Sequence, residues 1–184
     1  MNRNYKSNGF ILAAVALLAI LILYTSGKDK QLYGNDNQSV IEVIQSIDSY
    51  RGAAVELLET RDIGADRYVA FLADGKPANI HFKQNDKGNY PMIDTEGPAR
   101  HDFADFLIFP DKESGNLPQF LFVANERSEV AKLELTVNDE TIVQTFPVRQ
   151  KTATWLELPN TEEHAYRFAY NYYDEAGSLL HTPN

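Results

Sequence analysis

The chain has 184 residues, 17 Lys and Arg against 26 Asp and Glu, a formal net charge of −9 and no Cys. The acidic excess argues against nucleic acid or anionic lipid as an electrostatic partner. The lack of Cys excludes disulfides, a thiol nucleophile and thiolate metal sites.

Arg3 and Lys6 precede Gly9 to Tyr24 (GFILAAVALLAILILY), sixteen residues without a charge or amide and with no hydroxyl before Tyr24. As a helix this stretch reaches about 24 Å against a hydrocarbon core of about 30 Å. Ser7, Asn8, Thr25 and Ser26 carry it to the interfaces. Its ten strongly apolar residues together favour insertion by about 3 to 6 kcal/mol. A transmembrane anchor is therefore expected over 9–26, behind a basic cytoplasmic tail, 1–8. A cleaved secretory signal is the alternative, with Thr25-Ser26-Gly27 as its best site. A buried core helix is the other, although a helix apolar all round is an unusual core element at an extreme position. No Cys follows the apolar run, so a lipoprotein anchor is excluded.

Basic residues near the span are tied: Arg3 and Lys6 before it, Lys28 and Lys30 after it. Orientation is set by such residues, so the order of parts has to decide. A basic tail, a first apolar segment and then a folded domain is how exported chains begin. The N-terminus is expected inside and the folded part outside the cytoplasm.

Residues 27–38 read as a polar tether, within which Asn37-Gln38-Ser39 matches a glycosylation sequon. Ser39 and Glu42 have capping-box spacing. Val40, Ile41, Val43, Ile44, Ile47 and Tyr50 then follow a helical period, and Gly52 stands where a helix would end. One amphipathic helix is predicted from Ser39 to Arg51. Strands are predicted over Ala54–Arg61, Arg67–Ala73 and Asn79–Lys83, with a turn at Asp74-Gly75. In the third, Ile80 and Phe82 point inward and Asn79, His81 and Lys83 outward. A second turn at Asp86–Asn89 leads to Tyr90–Ile93. The first module, 39–110, is thus a helix plus an antiparallel meander.

Pro98 can open a short helix with Phe103, Phe106 and Leu107 on its apolar side and Pro110 as its stop. A strand over Asp105–Phe109 is the alternative reading. Asp111 to Pro118 is loop chemistry and marks the boundary to a second module, 119–184. There the pattern is β throughout. Phe120, Phe122, Leu133, Leu135 and Val137 share one direction, opposed by Lys132, Glu134 and Thr136. Asn138-Asp139 turns into Thr141–Val148, and Ala153–Leu158 carries Trp155. Tyr166, Phe168, Tyr170 and Tyr172 occupy one face of a long strand, and a turn at Asp174–Gly177 leads to Ser178–His181. Strands at this spacing predict a small antiparallel sandwich or curled sheet. The fold class expected for the whole is a transmembrane helix followed by α+β, mostly β.

His81, His101, His164 and His181 are scattered. His101 and Asp105 lie four apart on the doubtful helix, with Asp102 adjacent, but nothing supplies a third metal ligand. Carboxylate pairs such as Asp94 with Glu96, or Asp102 with Asp105, arise by chance among so many acids. Neither G-x-S-x-G, S-x-x-K, a phosphate loop nor a calcium loop occurs. No catalytic, cofactor or metal residue is assigned, and no cofactor is expected. The aromatic face Tyr166, Phe168, Tyr170, Tyr172 is the one candidate site: buried, it is sandwich core; exposed, it is a platform for a sugar or peptide.

The layout looks like that of many small anchored bacterial proteins, and no motif is specific enough to name a family. The expected function is a non-enzymatic binding, sensory or accessory module facing the cell envelope. Its partners would be the membrane, through the N-terminal helix, and an envelope protein or glycan. The rivals are an envelope hydrolase using a carboxylate pair and a secreted soluble binder.

Overall fold

The computed structural model describes residues 31–111, 115–161 and 165–180. The expected anchor and basic tail, and with them His164 and His181, lie outside the described residues. Among the described residues no helix is long and apolar enough to cross a membrane. The chain divides into two units, Met1–Gln31 and Leu32–Asn184, and the fold below is that of the second.

It opens with α1 (Asn37–Ser46), two residues earlier than expected. The cap is Asp36, whose carboxylate accepts from the Ser39 backbone N–H while the Ser39 hydroxyl accepts from the Asp36 N–H. Ser39 therefore stands inside the capping box rather than opening it. The backbone turns extended at Ile47, and a single 3₁₀ turn, Asp48–Tyr50, completes the segment. Val40, Val43 and Ile44 are buried, as their period requires, while the helix stops five residues short of the expected Arg51 and Tyr50 is buried from the separate 3₁₀ turn.

Eleven strands follow: β1 (Val55–Ile63), β2 (Asp66–Ala73), β3 (Lys76–Lys83), β4 (Met92–Glu96), β5 (Phe103–Ile108), β6 (Gln119–Ala124), β7 (Lys132–Val137), β8 (Glu140–Thr145), β9 (Thr152–Glu157), β10 (Phe168–Tyr173) and β11 (Leu179–Leu180). Their pairings are all antiparallel. They form a first sheet β1-β2-β3-β4, a middle sheet β5-β6-β9 and an outer sheet β11-β10-β7-β8. The β2–β3 turn is the expected Asp74-Gly75, with φ of 50° and 75°. Two left-handed residues in succession match the right-handed twist of the flanking strands.

Three apolar clusters stack these parts as layers. Helix α1 covers one face of the first sheet through Val69, Phe71, Ala78, Ile80 and Phe82. The opposite face meets the middle sheet, Tyr68, Ala70 and Leu72 against Phe106, Ile108, Leu121 and Val123. The far face of the middle sheet then meets the outer one, Phe103, Phe120 and Phe122 against Leu133, Leu135, Val137 and Tyr172. The first sheet is thus covered on both sides, which corrects one expectation. Ile80 and Phe82 do face the helix, but Asn79 and His81 face the middle sheet rather than open water, and Asn79 is buried.

The region around Pro98 is also corrected. It forms no helix: the Gly97–Pro98 bond is cis, and Phe103–Ile108 is strand β5. Its alternate residues serve two cores, Phe103 and Leu107 on one side, Ala104, Phe106 and Ile108 on the other. A helix would have gathered these side chains on a single face. Because β5 pairs with β6 from Phe103↔Ala124 to Ile108↔Gln119, the loop at 111–118 joins two strands of one sheet.

From β5 onward the seven strands can be lettered A to G in chain order. They then give A-B-E against G-F-C-D, two antiparallel sheets packed face to face as a sandwich. The Tyr166 hydroxyl donates to the Pro159 carbonyl at 3.2 Å. That ties the corner between the fifth and sixth strands as a tyrosine corner does. The likeness is one of architecture and carries no function.

The first residues of this unit are docked rather than loose. Arg67 on β2 forks onto both Asp62 oxygens at 2.7 and 2.8 Å. It also donates to the carbonyls of Gly34 and Asn35 at 3.0 and 3.1 Å and lies 3.9 Å from the Tyr90 ring. Gly34 can pass there only as glycine, since a Cβ would stand 2.5 Å from the Phe82 ring.

Two stability outcomes follow from this packing. Phe120→Ala, at a fully buried position in contact with the rings of Phe122, Phe168 and Tyr170, should lose about 3 to 5 kcal/mol in urea denaturation, and Phe168→Ala a smaller amount because Phe168 is half-buried. Arg67→Lys cannot reproduce the fork or the ring contact, and should lose about 2 kcal/mol. Hydrogen exchange should show that loss first as faster exchange over Leu32–Asp36.

Candidate binding face

The aromatic row expected on one face of a strand is there, and it faces inward. Tyr166, Phe168, Tyr170 and Tyr172 all pack into the core between the middle and outer sheets. Phe168 meets Phe120 edge-on at 5.1 Å, and Tyr172 meets Phe103 edge-on at 5.5 Å. Along the row Tyr166 stacks on Phe168 at 5.8 Å and Tyr170 on Tyr172 at 6.2 Å, while Phe168 and Tyr170 are tilted to each other at 6.1 Å. Burial pushes the Tyr170 hydroxyl up to about 12, with the Asp105 carboxylate adding to it. It raises that of Tyr172 further for the same reasons. These phenols stay protonated at neutral pH.

Asp105 sits where Tyr172 can reach it, hydroxyl to Oδ1 at 3.4 Å. Its residue keeps contact with water, yet the protein around the carboxyl raises its pKa above the usual range, with the Tyr172 hydrogen bond opposing. It shares no helix face with His101, which lies exposed in the bend before β5. Asp102 is committed elsewhere: it accepts from Asn125 at 2.8 Å and from Arg127 at 3.0 Å. Asn125, itself buried, donates to the Gly75 carbonyl at 2.7 Å and so ties β6 to the β2–β3 turn. Asp94 and Glu96 are alternate residues of β4 and face the same way, not each other across a cleft.

Sequence reasoning missed one polar group between the first and middle sheets. The His81 ring stacks on Tyr68 at 4.4 Å. Its Nε2 lies 2.8 Å from the buried Asp66 carboxylate and its Nδ1 lies 3.7 Å from Asp94. Trp155 meets Tyr68 edge-on at 6.2 Å, and Arg61 lies 4.5 Å above the indole. Burial first, and then the charges of Asp66 and Asp94, pushes the Tyr68 hydroxyl up to about 12. Both imidazole nitrogens are thus turned to carboxylates, so the ring acts as a tie across β2, β3 and β4. The signal in the sequence was the alternation that put His81 and Tyr68 on one face; their register was not readable.

The outer sheet supplies an open face. Its strand β7 alternates between half-buried and buried residues, and Ala169, Asn171, Thr141, Val143 and Thr145 are exposed. Pairing lays these out as rows: Leu179, Tyr173, Lys132 and Thr145; Asn171, Glu134 and Val143; Ala169, Thr136 and Thr141. The first rows are held by charge. Glu134 accepts from Lys132 at 2.8 Å and from the Tyr173 hydroxyl at 2.9 Å, and Lys132 lies 4.1 Å from the Tyr173 ring. Those two hydrogen bonds, Lys132 first, hold the Glu134 carboxyl below its usual range. The last row is small and hydroxylated, with Thr136 and Thr141 3.2 Å apart. An open groove at one edge is lined by Glu129, Val148, Arg149, Asp174, Glu175 and Ala176.

Asp105 makes the pH dependence testable. Its folded pKa is raised, so the folded state binds more protons than the unfolded one between the two values, and this contribution to stability falls as pH rises. Asp105→Asn keeps an acceptor for Tyr172 and removes that loss. Melting curves should show the variant more stable than the parent at about pH 7, with the gap closing below about pH 4. Comparisons of the chain with protein-family models, with curated proteins and with solved structures found no match.

Proposed function

We propose that this protein is a non-enzymatic binding module, held at the membrane by the 9–26 segment and displayed outside the cytoplasm. Its partner is an envelope protein or glycan chain, taken on the open face of β11-β10-β7-β8. The observation that carries the reading is that face itself. The first sheet packs against α1 and the middle sheet, and the middle sheet against the first and outer sheets, whereas the outer sheet turns the rows around Lys132, Glu134 and Tyr173, with Asn171, Thr141 and Val143, to water. A binder can use such a surface without a cleft. The tyrosine and glutamate of the array are pre-organised by the Lys132 and Tyr173 contacts, which lowers the ordering cost of binding.

Two measurements test this. Protease added to intact cells, or to spheroplasts where an outer membrane is present, should remove the folded unit; protection until lysis would place it in the cytoplasm and defeat the reading. Asn171→Arg and Val143→Arg change exposed side chains and should leave stability within about 0.5 kcal/mol. Co-sedimentation with purified cell-wall glycan, and cross-linking to envelope proteins in cells, should each be scored for these variants. Loss of one of these interactions by about tenfold or more supports the face; equal retention by parent and variants counts against it.

A further inference from the structure

The chain reaches its folded unit at one end of the first sheet, and large apolar side chains are exposed at that same end. Gly34 donates to the Tyr90 carbonyl at 2.8 Å, and the Tyr90 N–H donates to Asn35 at 3.0 Å. Met92 and Ile93 follow directly after this contact, at the start of β4, and are 41 % and 51 % exposed. The end of β5 is drawn to the same place. Lys83 donates its backbone N–H to the Pro91 carbonyl at 3.2 Å and its ammonium to Asp111 at 2.9 Å. Phe109, two residues before Asp111, is 61 % exposed. Of the five large apolar side chains exposed among the described residues, three are at this end. The other two, Val143 and Leu179, belong to the outer sheet.

What covers them follows from the chain that leads there. Between Tyr24, the last residue of the apolar stretch, and Leu32 lie seven residues, TSGKDKQ. Such a tether spans about 15 Å on average and about 24 Å at full stretch. Resting on the reading of Gly9–Tyr24 as a membrane anchor, we infer that Met92, Ile93 and Phe109 form a bilayer-contacting patch, seated in the lipid interface. The contact is apolar rather than electrostatic, because the folded unit carries an acidic excess. Alone, three side chains would bind a membrane weakly. A short tether supplies a local concentration in the millimolar range, so a weak contact is occupied once the anchor is in place. Seated this way, the end carrying the β2–β3 turn and Asn125 points away from the lipid.

The absence of Cys allows single labels to test this in the full chain. A fluorophore at Lys87→Cys, in the loop before Tyr90, reports on the proposed contact, and one at Glu126→Cys, beside Asn125, reports on the far end. The protein is reconstituted into phosphatidylcholine vesicles containing acyl-chain nitroxide lipid, and the same is done with phosphatidylglycerol added. The Lys87→Cys label should be quenched several-fold more than the Glu126→Cys label, equally in both lipids, and Ile93→Glu with Phe109→Glu should abolish the difference while the melting curve stays as in the parent. Equal quenching at both positions in a chain that resists alkaline extraction overturns the patch and leaves the anchor standing. Quenching that survives the double substitution overturns it too, since the tether alone would then account for it. Shielding that grows with protein density without lipid quenching would assign the surface to a second copy instead. Release of the parent chain by alkaline extraction overturns the anchor, and the patch with it.

Discussion

Strand β6 has no water on either face, and the other layers are arranged by that constraint. Its residues Phe120, Phe122 and Ala124 enter the core shared with the outer sheet, and Leu121 and Val123 enter the core shared with the first. Antiparallel sheets commonly leave one face wet; a strand read as a continuous apolar run is buried on both. β2 obeys the same rule, with Val69 and Phe71 under the helix and Tyr68, Ala70 and Leu72 under the middle sheet. Two doubly buried strands mean that neither the helix-and-meander part nor the sandwich closes its core alone. Each needs the other's face.

Polar contacts then set where the layers meet. At one end Asn125 joins β6 to the β2–β3 turn and to Asp102. Between the same layers His81 carries a buried carboxylate, Asp66, on its Nε2. An unpaired carboxylate there would be costly, so the imidazole and the acid fix the register of β2 on β3 as a pair. At the other end Arg67 closes the incoming chain onto the sheet through a carboxylate, two carbonyls and a ring. None of these groups converges on an open cavity. They position a scaffold, and the face the scaffold leaves uncovered is the outer side of β11-β10-β7-β8.

That division explains the chemistry of the outer sheet. Its inner side holds the ring row of β10, where phenols are kept protonated by burial. Its outer side holds short polar and small residues around the Lys132, Glu134 and Tyr173 group. The rings fill the core between the middle and outer sheets, and the side chains on the reverse are exposed or half-buried.

Much of this was legible in the residues themselves. Period 3.6 in Val40–Tyr50 and period 2 in the strands named the buried side of α1, β3, β7 and β10, and Asp-Gly named its turn, because these patterns are local consequences of backbone geometry. What only the tertiary structure decided is what lies against each second face. Alternation says that two residues share a side; it does not say whether that side meets water or another sheet. RYVAFLA and QFLFVA were runs too continuous for a half-wet strand, and what covers their faces comes from other elements: β2 lies between α1 and the middle sheet, and β6 between the first and outer sheets. The segment from Phe103 to Ile108 was misread for the same reason. Its apolar residues suit one face of a helix when counted alone and two faces of a strand once cores stand on both sides, and only the packing of the middle sheet supplies the second core.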